Sequence, residues 1–174
     1  MSLPLTYNGD DTKNEESAII YNFDWSMTSL GPIDSWEPMI KNALNLCLQS
    51  TFPICLYLGP DYITIYNKAF QRQILLKDKY DIGKSAKEDL TDYFISQLET
   101  VKTKGEGFFV KEHYIERTRN GYKEEAYFNY TFSPIFKSDG SVYCIFNLVQ
   151  DVTQKVLSTR RFKTISEFGC WTSG

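Results

Sequence analysis

Apolar residues recur on one face of a helix over residues 34–50: Ile33, Trp36, Ile40, Ala43, Leu44, Cys47 and Leu48 are spaced by threes and fours. Asp34 is placed to cap its start, with Glu37 three residues on in a box-like arrangement. Pro38 is tolerable there only because it falls close to that start. The period then changes to two. Pro53–Leu58 and Tyr62–Tyr66 are rich in β-branched and aromatic residues and predict two strands, turned by Gly59-Pro60-Asp61. Asn67 is placed to cap a short helix, Lys68–Leu75. Glu88–Lys104 predicts another helix, with Leu90, Tyr93, Phe94, Leu98 and Val101 on one side and Gly105 and Gly107 at its end. Three long strands follow. Phe108–Thr118 and Tyr122–Phe136 meet at Asn120-Gly121, a strong two-residue hairpin signal. Ser138-Asp139-Gly140 turns the chain into Val142–Gln150. A last helix starts near Asp151-Val152-Thr153 and runs to Phe168.

This order predicts an α+β fold: a five-stranded antiparallel sheet with helices on one face, plus an N-terminal helix and a C-terminal exit helix. Residues 1–17 are polar and read as a disordered or loosely attached tail. Residues 18–32 read as an extended path broken at Gly31-Pro32. The expected division is a tail over 1–17, a domain with an N-terminal helical extension over 18–152, and a linker helix over 153–174. Met1-Ser2-Leu3 has the look of cloning residues, and the chain stops in Gly169–Gly174 without a terminating element, so the sequence reads as part of a longer protein.

With 174 residues the chain has room for one domain with a proper core. Its net charge of −3, with Lys and Arg scattered, argues against a nucleic-acid or membrane partner. The 27 aromatic residues (12 Tyr, 12 Phe and 3 Trp) can fill a core or line a pocket equally well. Cys47, Cys55, Cys144 and Cys170 show neither CxxC nor zinc-ligand spacing and are expected to be free thiols, two or three of them in the core. A reducing, cytoplasmic location follows. No apolar run approaches a membrane span, and the N-terminus lacks a signal-peptide pattern.

Three segments carry a resemblance. The first is Asp24-Trp25-Ser26-Met27-Thr28-Ser29-Leu30-Gly31-Pro32-Ile33-Asp34-Ser35-Trp36. The second is Phe52–Pro60 with Ile65-Tyr66-Asn67-Lys68-Ala69-Phe70. The third is Arg119–Tyr122 through Ala126–Ile135 to Asp151-Val152-Thr153. The chain resembles a PAS-like sensor domain of the branch found near the N-terminus of multidomain signalling proteins, often histidine kinases. Together these segments fall within roughly residues 22–165. The resemblance implies a PAS fold, a sensory role in a two-component system and a homodimeric parent. It also implies a downstream domain of the same protein, often GAF-like, joined through Arg160-Arg161-Phe162-Lys163-Thr164-Ile165.

No nucleophile elbow, P-loop, zinc-protease or dinucleotide motif is present, so no catalysis is expected of this chain. His113, the only histidine, could serve as a haem ligand or pH switch, but reads more simply as a partly exposed strand residue. The helix after Asn67 lacks the cysteine of covalent flavin photoreceptors. Asn67 itself reads as a cap rather than a ligand contact. Alternation puts Phe128, Tyr130 and Phe132 on one face and Tyr127, Asn129, Thr131 and Ser133 on the other. It likewise divides Cys144, Phe146 and Leu148 from Tyr143, Ile145 and Asn147. The candidate ligand-binding residues are Tyr57, Tyr66, Phe70, Tyr93, Asn129 and Asn147, and the candidate relay residues are Asp151 and Thr153. The cofactor is left unknown. The expected function is a noncatalytic sensory domain that relays a small-molecule ligand or partner through its C-terminal helix. The alternatives are a ligand-free dimerisation scaffold and a haem- or flavin-bearing redox or light sensor. A small α+β enzyme is a further class, and the crowding of Glu112, Glu116, Glu124 and Glu125 about an exposed hairpin argues against it.

Overall fold

The computed structural model describes residues 11–77 and 79–171, with side chains from residue 15 to 170. Strands β1 (Ile54–Leu58), β2 (Ile63–Tyr66), β3 (Phe108–Arg119), β4 (Tyr122–Phe136) and β5 (Val142–Asp151) form one antiparallel sheet in the order β2-β1-β5-β4-β3. The helices are α1 (Asp11–Asn22), α2 (Pro38–Gln49), α3 (Lys68–Phe70), α4 (Ala86–Asp89), α5 (Asp92–Lys104) and α6 (Thr153–Trp171). The expected α+β layout is present. The β3–β4 hairpin turns at Asn120-Gly121, where both residues take positive φ (50° and 79°), and pairs Arg119 with Tyr122.

Several boundaries differ from expectation. Residues 11–22 are helical, where a tail to residue 17 and then an extended path were expected; residues 1–10 of that tail lie outside the described residues. Local propensity does not explain α1, which is held by docking: Ile20 and Glu16 are buried, and Tyr21 donates to Asn45 Oδ1 (3.2 Å). The single helix expected over 34–50 is a 3₁₀ turn, Ile33–Ser35, followed by α2. Pro38 occupies the first turn of α2 and keeps Glu37 extended (φ −60°, ψ 149°), so Asp34 cannot cap α2. The helix expected over 88–104 is likewise two, α4 and α5, parted at Leu90-Thr91.

The expected apolar face of α2 is buried: Ile40, Ala43, Leu44, Cys47 and Leu48 all join the core. Both ends of α2 are tied to the sheet. Glu37 accepts from Ser138 N (3.0 Å) at the end of β4, and the Cys47 thiol meets Ile54 O at the start of β1 (3.7 Å). The Asp24–Trp36 segment folds around two indoles. Trp25 is buried, donates Nε1–H to Ile20 O (2.8 Å) and packs edge-on to Trp36 (5.2 Å between centroids). Trp36 in turn donates to Gly31 O (3.1 Å). These are packing and capping roles, so this segment belongs to the architecture and not to a site.

Asn67 is the tie at the centre of the fold. Its Oδ1 accepts from Phe70 N (2.9 Å), capping α3, and from Ile54 N (3.1 Å). Its Nδ2 donates to Cys47 O (3.0 Å) and Phe52 O (2.8 Å). One buried amide thus joins the end of α2, the start of β1 and α3, as the capping reading expects.

Candidate functional site

Strand register decides which side chains face the helices α3 to α5. Cys55 lies opposite both Tyr66 and Asn147, Asn147 opposite Phe132, and Val149 opposite Tyr130. These residues share the inner face with Tyr57 and Phe128. On β3 the phase changes at a bulge between Val110 and His113, so Val110 and then His113, Ile115 and Arg117 point inward.

Between this face and the helices lies an inner chamber of about 200 Å³. Its sheet side is formed by Tyr57, Ile115, Arg117, Phe128, Tyr130, Phe132, Asn147 and Val149. Its helical side is Phe70, Ile74, Leu75, Leu90 and Phe94. A second cavity of about 260 Å³ abuts it, sharing Tyr57, Phe70, Leu75 and Leu90, and carries Lys77, Asp81, Lys84 and Asp89. An apolar chamber thus meets a polar vestibule, the usual plan of a small-molecule site. The wall between them includes a π-helical turn, Gln71–Leu75, closed by Leu76 in the left-handed region (φ 52°). Such turns concentrate where a helix is shaped around a site.

Two of the polar side chains that line the chamber, Asn147 and Arg117, each have a buried atom without a hydrogen-bond partner. Asn147 is 5% exposed; its Nδ2 donates to the Tyr57 hydroxyl (3.3 Å), while its Oδ1 is unpaired. Arg117 holds Glu124 through Nε (2.6 Å), and its Nη1 lies 3.3 Å from Asp151 Oδ2 but makes no hydrogen bond. Its guanidinium sits over the Phe128 ring, 5.6 Å from the centroid. Burial pushes the hydroxyl of Tyr57 and the thiol of Cys55 well above their ordinary pKa values, so both are protonated at neutral pH.

The sequence-derived candidates divide. Tyr57, Phe70 and Asn147 line the inner chamber. Tyr66 lines the vestibule, and its hydroxyl accepts from Asp81 N (2.9 Å). Asn129 lies on the opposite face of the sheet and accepts from Glu112 N (2.8 Å), satisfying the N–H that the β3 bulge leaves unpaired. Tyr93 is half exposed and stacks on His113 (5.3 Å, 6°) outside the chamber walls. Among the described residues no group of three or more His, Cys, Asp or Glu could hold a metal ion. The two candidate relay residues are joined: Asp151 Oδ1 accepts from Thr153 N (2.9 Å), and Thr153 Oγ1 accepts from Tyr127 N (3.0 Å). Arg117 was not among the candidates. The signal for it was the Asn120-Gly121 hairpin, whose register sets Arg117 opposite Glu124.

No family model and no curated protein matches the chain. Solved structures do. An RNA-binding light-oxygen-voltage receptor is 17% identical with a TM-score of 0.50, over 85% of this chain and 43% of that one, so the chain spans less than half of that receptor. The phage VqmA–DPO complex is 18% identical at 0.50, over 74% of this chain and 59% of that one. The PAS domain of Bordetella pertussis BvgS is 14% identical at 0.46, over 75% of this chain and 99% of that one.

Proposed function

We propose that this chain, which has the PAS fold, is a noncatalytic sensory domain of a larger signalling protein, in which occupancy of the inner chamber is passed to α6. Arg117 carries the reading. It forms part of the chamber wall and pairs with Asp151, and Asp151 holds the first N–H of α6. A ligand that moves the guanidinium changes the group that caps the exit helix. A ligand shifts such an equilibrium only by its differential affinity for the two arrangements, and contact with Arg117 supplies that difference.

The histidine-kinase and two-component context rests on the resemblance of the Asp24–Trp36 segment. A downstream domain would follow α6, whose Phe162, Ile165 and Phe168 are exposed and offer an apolar edge to that domain or to a second copy of the chain. The cytoplasmic setting rests on free thiols, with Cys47, Cys55 and Cys144 buried and unbridged. No helix among the described residues is long and apolar enough to cross a membrane. The RNA binding in one similar receptor's name belongs to that protein; the net charge of −3 here does not favour a phosphate backbone. A chamber of about 200 Å³ favours a ligand smaller than haem or a tricyclic flavin, since an apolar cavity of about 150 Å³ already takes benzene.

The test is amide hydrogen exchange on Arg117→Leu. Losing Arg117 leaves Asp151 without its cation, so exchange across Val152–Leu157 should quicken by roughly threefold or more relative to the middle of β4. Equal protection in variant and wild type would separate the chamber from α6 and end this reading.

A further inference from the structure

The unpaired oxygen of Asn147 defines what the chamber recognises. We propose that the inner chamber takes a small, uncharged ring compound that donates one hydrogen bond to Asn147 Oδ1. This rests on the reading of the chamber as the ligand site and adds the chemical class.

Size and shape come from the walls. The volume of about 200 Å³ exceeds the roughly 150 Å³ that holds benzene and suits a bicyclic or small substituted ring. Tyr57, Phe94, Phe128, Tyr130 and Phe132 supply aromatic surface. Tyr57 and Phe132 are set edge to face (6.1 Å, 78°), as are Phe108 and Phe132 (5.5 Å, 87°), so these rings are already ordered by one another. Flat rings pack against such walls by the same offset and edge contacts.

Charge is excluded from both sides. A cation would meet the guanidinium of Arg117. An anion would find that guanidinium already engaged by Glu124 and Asp151, at 2.6 and 3.3 Å. Two carboxylates against one guanidinium leave no net attraction for a third, and either ionic ligand would shed its water into an apolar chamber.

The donor requirement comes from the direction of the hydrogen bonds. Asn147 Nδ2 donates to the Tyr57 hydroxyl (3.3 Å). With its nitrogen so engaged, the amide of this chamber-lining residue leaves its oxygen buried and unpaired. A buried amide oxygen without a donor is costly, and a ligand N–H or O–H removes that cost. A ligand offering only an acceptor there leaves two lone pairs facing each other.

Indole and benzofuran separate these claims, because they match in shape and differ in the N–H. Binding is read by titration and by the methyl NMR signals of Ile74, Leu75, Ile115 and Val149, with benzene as a donor-free probe. Indole should bind about tenfold more tightly than benzofuran. In Asn147→Leu the two should bind alike. Indole-3-acetate and tryptamine should bind more weakly than indole. Equal binding of indole and benzofuran to the wild-type chain, or tighter binding of either charged probe, overturns the class while the chamber stands as a ligand site. If benzene shifts the chamber methyls and indole does not, the class again falls alone. If no probe shifts them, both the class and the ligand-site reading fall. The wild-type comparison decides the matter even if Asn147→Leu fails to fold.

Discussion

Replacing Asn67 with alanine removes five hydrogen bonds at once, because the side chain accepts from Phe70 N and Ile54 N and donates to Cys47 O, Phe52 O and, more weakly, Ser50 O (3.4 Å). Loss of the cap on α3 alone is worth about 1 kcal/mol. Ile54 N lies beside a residue only 1% exposed and costs about 1–3 kcal/mol if left dry, while Cys47 O and Phe52 O lose their shorter bonds and keep Ser50 N and Ser50 Oγ, both at 3.3 Å. Relaxation around the shortened side chain lets some find water, so the total is about 3–4 kcal/mol rather than the full sum. For a domain of this length that corresponds to a fall in Tm on the order of 10 °C. Urea denaturation followed by far-ultraviolet circular dichroism measures it. A loss below about 1 kcal/mol would mean that α2, β1 and α3 hold together without the amide, and would refute the tie. Asn67→Asp sharpens the test. One carboxyl oxygen can still accept from the two N–H groups, but the other then faces the carbonyls of Cys47 and Phe52. The folded state therefore favours the protonated acid and raises its pKa above the unfolded value. The variant's deficit relative to wild type should shrink as pH falls from 7 towards 4; a constant or widening deficit contradicts the geometry.

Two further outcomes follow from the buried acids. Burial raises the pKa of Cys47, Cys55, Cys144 and Tyr57 in the folded state, so folding favours their protonated forms. Their contribution is complete below the unfolded thiol and phenol values of about 8.5–10 and declines above them. The urea midpoint should accordingly drop steadily from pH 8.5 to 10.5, and a flat profile would show these groups to be solvated. Thiol titration of the native chain with a disulfide reagent should find Cys170 reacting quickly and the three buried thiols only after denaturant is added; two or more fast thiols would contradict the packing.

Element type was legible wherever the period was strong. The α2 face, the Asn120-Gly121 hairpin and the Asn67 cap all follow from residues a few positions apart. The helix at Asp11–Asn22 was not legible, because its stability lies in contacts with residues far along the chain, such as Asn45 and Tyr80. The two asparagines of β4 and β5 show a different limit. Asn129 and Asn147 each alternate with apolar neighbours, and both faces of the sheet carry apolar groups, so a period of two could not say which asparagine faces inward. The bulge deepens that ambiguity. Phe108 and Val110 face inward at even positions, but His113, Ile115 and Arg117 do so at odd ones, since one extra residue is absorbed near Glu112, itself in the left-handed region (φ 51°). A strict alternation through β3 would have put Arg117 on the outer face and hidden the chamber's cation.

The bulge also makes the link to the exit helix possible. Shifting β3 by one residue brings Arg117 to the inner face opposite Glu124, from where its long side chain crosses the Phe128 ring to reach Asp151. Asp151 lies opposite Phe128 at the last paired position of β4 and β5, so the ring bridged by the guanidinium also marks where the sheet ends and α6 begins. Asn129 supports the same geometry from the other face, because its bond to Glu112 N stabilises the bulge. Asn129 therefore bears on the site without touching it: loss of its side chain would weaken the bulge that sets the phase of Arg117. On the proposed reading, the asparagine lining the chamber would offer a ligand its oxygen, and the one outside secures the register that turns Arg117 to the inner face.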